Sequence, residues 1–76
     1  MNISVFGLGR VGLPLALYFA EHKQAVIGVD IDKTRVDTLK KGEMPFLEEG
    51  AEPLLKRNIN KLFTVTTNAE EAVKKS

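Results

Sequence analysis

The chain has 76 residues, a formal net charge of +1 and no cysteine. A chain of this length forms one small domain, and the lack of cysteine excludes disulfides, a thiolate metal site and a cysteine nucleophile within it. The balanced charge gives no electrostatic reason to expect nucleic acid or an anionic membrane as a partner. The longest apolar run, residues 13–20, is too short to span a bilayer, and no secretion signal precedes the first strand. We therefore expect a cytoplasmic protein.

The hydrophobic pattern predicts alternating strands and helices. In chain order, the predicted elements are a strand at residues 3–6, a helix at 11–22, a strand at 25–29, a helix capped by Asp32 and running through 41, a loop at 43–50, a short helix with Pro53 in its first turn, a strand at 63–67 and a helix that begins at Ala69. Val36 and Leu39 are predicted to face inward from the second helix, and Tyr18 and Phe19 to pack from the first. The order predicts an α/β fold, namely the first half of a Rossmann-type doubly wound parallel sheet with three strands in the order 3-2-1.

Residues 7–12 read Gly-Leu-Gly-Arg-Val-Gly, a G-x-G-x-x-G motif between the first strand and the first helix. In this position Gly7 allows the tight turn, Gly9 lets a pyrophosphate approach the backbone, and Gly12 lets the helix pack close to the strand. The N-terminus of the helix would present free N–H groups and the positive end of its dipole to the phosphates. The motif therefore predicts a dinucleotide site that also includes Leu8, Arg10 and Val11. A strand–helix turn that needs glycine only for its geometry is the alternative.

Asp30 follows the second strand, 21 residues after Gly9. A carboxylate at this position accepts hydrogen bonds from the adenosine ribose hydroxyls, and its charge would repel the 2′-phosphate of NADP. Asp30 could instead serve only to begin the next helix, but Asp32 suits that role better. Arg35, one turn further on, could reach the adenosine or be a solvated helix residue, and Arg10 could contact the pyrophosphate or point to solvent. We predict NAD as the cofactor.

These residues together resemble the UDP-glucose/GDP-mannose dehydrogenase family. The resemblance is carried by the run from Val5 to Ala16, by Val29-Asp30-Ile31-Asp32 with Arg35-Val36, by the Gly42 to Gly50 loop with its Pro, Glu and Gly, and by Phe63 to Asn68. The chain departs from the family pattern at Arg10, where an aromatic residue or histidine is usual, at Glu49, usually proline, and at Ala51, usually leucine.

The resemblance implies an enzyme that oxidises the C6 hydroxyl of a UDP- or GDP-sugar to a carboxylate with two NAD per turnover, through a cysteine thioester. It implies that Gly7, Gly9 and Gly12 bind pyrophosphate and that Asp30 and Arg35 hold the adenosine ribose. It also implies that the family's catalytic cysteine, lysine and asparagine lie beyond residue 76, so we expect residues 1–76 to be the N-terminal part of the NAD-binding domain and to be inactive alone. We expect the intact enzyme to be a homo-oligomer whose partner is a nucleotide-sugar substrate.

Two other classes share the strand and the glycine motif. One is the NAD-sensing regulatory domain of potassium transport systems, which binds nucleotide without chemistry, and the other is the 3-hydroxyacid or 6-phosphogluconate dehydrogenase group. Both usually pass quickly from the second helix to the third strand, whereas about twenty residues intervene here.

Overall fold

The computed structural model describes residues 2–75 and contains three strands and four helices. They are β1 (Asn2–Phe6), α1 (Gly12–Glu21), β2 (Ala25–Val29), α2 (Lys33–Lys40), α3 (Ala51–Asn58), β3 (Phe63–Thr66) and α4 (Ala69–Lys75). Every predicted element is present, and wherever the prediction gave an end residue, the observed end differs from it by at most one residue. The predicted domain of residues 1–76 includes Met1 and Ser76, which lie outside the described residues.

The three strands form one parallel sheet in the order β1-β2-β3. In the register, Val5 lies opposite Gly28, and Gly28 lies opposite Val65. Because both strand pairs are parallel, the carboxyl ends of all three strands lie at the same edge of the sheet. The structure therefore confirms the predicted α/β fold, the first half of a Rossmann-type sheet.

Local chemistry explains where the helices begin. Asp32 accepts a hydrogen bond from the Arg35 N–H at 3.1 Å and so caps α2, as predicted. Asn68 caps α4 in the same way through the Glu71 N–H, also at 3.1 Å. Pro14 stands in the first turn of α1, where its missing N–H costs no helical hydrogen bond.

The core lies between one face of the sheet and helices α1, α2 and α3. Its largest fully buried side chains include Leu8, Leu13, Leu17, Leu39, Leu55 and Phe63. Phe19 packs against this core as predicted. Tyr18 is 57% exposed, so the prediction that Tyr18 packs in the core is wrong. Tyr18 instead lies on an outward face of α1 with Leu15, which is also exposed. In residues 2–75, no helix is both long enough and apolar enough to cross a membrane.

Candidate cofactor-binding site

The turn after β1 brings α1 directly against the glycine loop, residues 7–12. Gly7 has a φ of +89°, a conformation that side chains disfavour, and its N–H donates to the Val29 carbonyl at 2.7 Å. A β-carbon on Gly12 would collide with the Gly7 carbonyl oxygen and would touch Val5. A β-carbon on Gly9, by contrast, would meet no atom within 4 Å. The loop therefore has the close helix packing predicted for Gly12 and open space in front of Gly9.

The N-terminus of α1 has the properties of an anion-binding site. Among the described residues, the backbone N–H groups of Gly9, Arg10, Val11 and Gly12 make no hydrogen bond within the chain. Val11 provides no side-chain cap, and the first turn contains no acidic residue. These N–H groups and the positive end of the helix dipole are thus left available to an anion, as a pyrophosphate would require.

Leu8 serves the core as well as the loop. Its side chain is fully buried, and a β-carbon on Gly28 would stand only 2.9 Å from each of its terminal carbons and 2.9 Å from Phe63. Because Gly28 in β2 has no side chain, Leu8 can pack against its backbone and so fix the glycine loop to the core. Sequence reasoning missed this role, although a glycine within an apolar strand is a known sign of such close approach.

Asp30, directly after β2, joins the glycine loop to the turn before α2. It is only 7% exposed. One carboxylate oxygen accepts from the Leu8 N–H at 2.8 Å and from the Arg35 guanidinium at 3.0 Å, and the other accepts from the Asp32 N–H at 2.9 Å. Burial alone raises the pKa of Asp30, but the donors Asp32, Leu8 and Arg35 outweigh it and hold that pKa below its ordinary value. Asp30 is therefore a fixed anion.

The structure thus brings Asp30 and Arg35 together, as an ion pair at 3.0 Å, beside the glycine loop. An ionised carboxylate has about four acceptor positions, and the three donors of this chain leave about one for a ligand hydroxyl. The Arg35 side chain is 34% exposed, so its guanidinium remains accessible from the solvent side. Because the Leu8 N–H is committed to Asp30, this N–H is not available to a cofactor.

A cleft of about 210 Å³ opens at the carboxyl edge of the sheet, next to Asp30. It is lined by Phe6, Gly7, Val29, Asp30, Ile31, Thr67 and Ala69. Ligands of open α/β sheets bind outside the carboxyl ends of the strands, and this cleft lies there. Its walls are mainly apolar with one carboxylate, and Ile31 is almost fully exposed beside it. The cleft, the open N–H groups and Asp30 together suit a dinucleotide.

Arg10 does not simply point to solvent. The central carbon of its guanidinium lies 5.0 Å from the centre of the Phe46 ring, in the loop before α3. Sequence reasoning missed Phe46, because no local pattern relates it to residue 10.

Comparison with known proteins places the chain in a family of NAD-binding domains. The chain matches the NAD binding domain of the UDP-glucose/GDP-mannose dehydrogenase family over residues 1–76. It is 46% identical to the UDP-N-acetyl-D-mannosamine dehydrogenase of Methanococcus maripaludis, over 93% of this chain and 17% of that relative. It is 40% identical to the GDP-mannose 6-dehydrogenase of Pseudomonas putida, over 100% of this chain and 18% of that relative.

A solved structure shows the same likeness. The chain superposes on GDP-mannose dehydrogenase from Pseudomonas aeruginosa, crystallised as a ternary complex, with a TM-score of 0.86 and 36% identity, covering 96% of this chain and 17% of that one. The chain spans 17–18% of the length of these relatives. The match to the family's NAD binding domain over the whole chain confirms the resemblance seen in the sequence, and the protein belongs to the UDP-glucose/GDP-mannose dehydrogenase family.

Proposed function

We propose that this chain binds the adenosine and pyrophosphate parts of NAD. The pyrophosphate lies on the glycine loop, against Gly7, Gly9 and Gly12 and the open N–H groups around Arg10 and Val11. Leu8 contributes by fixing the loop backbone from the core. The observation that carries this proposal is the coincidence of uncapped N–H groups at α1 with a buried, ionised carboxylate at the end of β2.

Asp30 and Arg35 hold the adenosine ribose in this proposal. The free acceptor position of Asp30 takes one ribose hydroxyl, and Arg35 contacts the adenosine from the solvent side. The same carboxylate opposes a 2′-phosphate, since two anions would meet in a site where Asp30 has little water around it. We therefore expect the intact protein to bind NAD more tightly than NADP. Isothermal titration calorimetry with both dinucleotides decides this, and tighter binding of NADP would overturn the assignment of Asp30.

We propose further that the intact enzyme is a nucleotide-sugar 6-dehydrogenase, which oxidises the C6 hydroxyl of a UDP- or GDP-sugar to a carboxylate. Its relatives named above act on UDP-N-acetyl-D-mannosamine and GDP-mannose, as their names state. NAD supplies the hydride acceptor, and the role of this chain is to bind and orient it. Incubation with a panel of UDP- and GDP-sugars, followed by the absorbance of reduced nicotinamide, should show two NAD reduced per sugar. NAD binding without turnover on any sugar would favour a sensing domain instead.

The catalytic residues and most of the sugar site are then contributed by parts of the enzyme other than residues 1–76, so this piece alone should be inactive. The intact enzyme is proposed to be a cytoplasmic homo-oligomer that serves polysaccharide biosynthesis. A preparation of residues 1–76 that turned over a nucleotide sugar would contradict this division of roles.

A further inference from the structure

The segment of residues 43–50, between α2 and α3, is held in place mainly by side chains. It contains no helix or strand. Within the described part of the chain, its backbone hydrogen bonds are made only near its two ends, from the Glu43 N–H to Thr38 and from the Ala51 N–H to Glu48. Between these ends, Phe46 packs against the core with its neighbour Met44, whereas Leu47 is 94% exposed. The side chains of Met44 and Phe46 therefore hold the middle of the segment in place.

The Phe46 ring contacts the glycine loop through Arg10. The 5.0 Å between the guanidinium carbon and the ring centre is within the range of about 6 Å in which a cation and a π-face attract each other. No carboxylate among residues 2–75 forms an ion pair with Arg10. The cation also stands at the positive end of the α1 dipole, which disfavours it. The negative face of the ring offsets part of this cost and holds the guanidinium of a glycine-loop residue that has no ion-pair partner among residues 2–75.

We propose that Phe46 is a positioning residue for the cofactor, which acts through Arg10. The inference rests on the proposed binding of pyrophosphate at the glycine loop. A guanidinium can present its face to an aromatic ring while its edge N–H groups donate to phosphate oxygens, so both contacts coexist. The ring restricts the long Arg10 side chain before the ligand arrives, which reduces the conformational freedom lost on binding. By reciprocity, pyrophosphate bound to Arg10 strengthens the docking of the 43–50 segment.

A double-mutant cycle in the intact protein tests the coupling. The variants are Phe46→Leu, which keeps apolar packing, Arg10→Met, which keeps the side-chain stem, and their combination, with NAD affinity measured by calorimetry. We expect Phe46→Leu to weaken NAD binding about two- to fivefold, which corresponds to the loss of an exposed cation–π contact. In a protein that already carries Arg10→Met, Phe46→Leu should not weaken NAD binding further. Phe46→Trp should retain the affinity, because indole is the best π-partner. Leu47→Ala, an exposed neighbour in the same segment, is the matched control and should leave the affinity unchanged.

Proteolysis measures the reciprocal effect. A protease specific for glutamate can cleave after Glu48 or Glu49, which are exposed in the segment. Saturating NAD should slow this cleavage about two- to fivefold in the unmodified protein, and should not slow it when Phe46→Leu is present. Equal weakening by Phe46→Leu with and without Arg10→Met, or loss of affinity in Phe46→Trp, would show a merely structural role and overturn the proposal. An unmodified protein that binds no NAD at all would instead refute the proposed function itself, and with it this inference.

Discussion

Replacing Asp30 by asparagine tests both the structural role of this residue and its proposed role in NAD binding. The carboxylate accepts from the N–H groups of Leu8 and Asp32 and from the Arg35 guanidinium, at 2.8, 2.9 and 3.0 Å. An amide has only one acceptor oxygen. If that oxygen faces Leu8 and Arg35, the NH₂ group faces the Asp32 N–H. In the other orientation, the NH₂ group faces both Leu8 and Arg35. At least one donor therefore loses its acceptor in either orientation.

The expected loss follows from these contacts. A hydrogen bond to a charged group contributes about 1.5–3 kcal/mol, so we expect Asp30→Asn to lower the free energy of unfolding by about that amount at neutral pH. The folded-state pKa of Asp30 lies below its ordinary value of 3.8. A carboxyl with a lowered pKa stabilises the fold above its unfolded-state pKa, and this stabilisation is lost as the pH falls through the folded-state pKa. The difference between the unmodified chain and Asp30→Asn should therefore shrink below about pH 4.

Urea unfolding of the 76-residue chain, followed by far-UV circular dichroism from pH 7 to pH 2.5, measures both effects. The matched control is Asp37→Asn. Asp37, on α2, carries the same charge but is half-exposed, and within the described residues it pairs only with the exposed Lys33. That control should change stability by less than about 0.5 kcal/mol. In the intact protein, Asp30→Asn should also weaken NAD binding by about 1–3 kcal/mol. An Asp30→Asn chain as stable as the Asp37→Asn chain at pH 7 would refute the structural role argued for Asp30.

Two glycine substitutions should give opposite results. Gly28→Ala places a β-carbon 2.9 Å from Leu8 and Phe63, both fully buried, and should lower the free energy of unfolding by about 1–3 kcal/mol in urea melts. Gly9→Val should keep the far-UV spectrum and the melting midpoint, since a β-carbon there meets no atom within 4 Å. Calorimetry should nevertheless detect no NAD binding, because the valine side chain would occupy the proposed pyrophosphate position. Unchanged NAD affinity in Gly9→Val would show that the phosphates lie elsewhere.

The fold was predictable because its signals are local. Strands β1 and β2 are short apolar runs, each followed by a residue that ends it, and a single capping residue such as Asp32 places the start of a helix within one residue. The G-x-G-x-x-G spacing likewise predicted the steric role of Gly12, since that role depends on a turn only a few residues long. Alternation of strands and helices then left few topologies open.

The contacts that escaped prediction join residues far apart in the sequence. The Leu8 N–H and the Asp30 carboxylate are 22 residues apart in the sequence. A single sequence does not indicate which donor will form a hydrogen bond to a buried carboxylate. Arg10 and Phe46 meet only because the 43–50 segment folds back over the glycine loop. The prediction that Tyr18 packs in the core was wrong for a related reason. The apolar composition of α1 does not indicate which of its faces is covered by residues 2–75.

The geometry of Asp30 makes cofactor preference inseparable from the shape of the glycine loop. Admitting the 2′-phosphate of NADP would require removal of the negative charge at residue 30. Replacing Asp30 by a small residue without a side-chain acceptor would also leave the buried Leu8 N–H unpaired, because it has no other partner in the described chain, and an unpaired buried N–H costs about 1–3 kcal/mol. The Leu8 side chain, inserted against Gly28, cannot move away to find a new acceptor without disturbing the core. A small neutral residue at this position would therefore loosen the loop proposed to bind the pyrophosphate. The predicted preference for NAD is in this sense a property of the fold of residues 7–30 as well as of one charge.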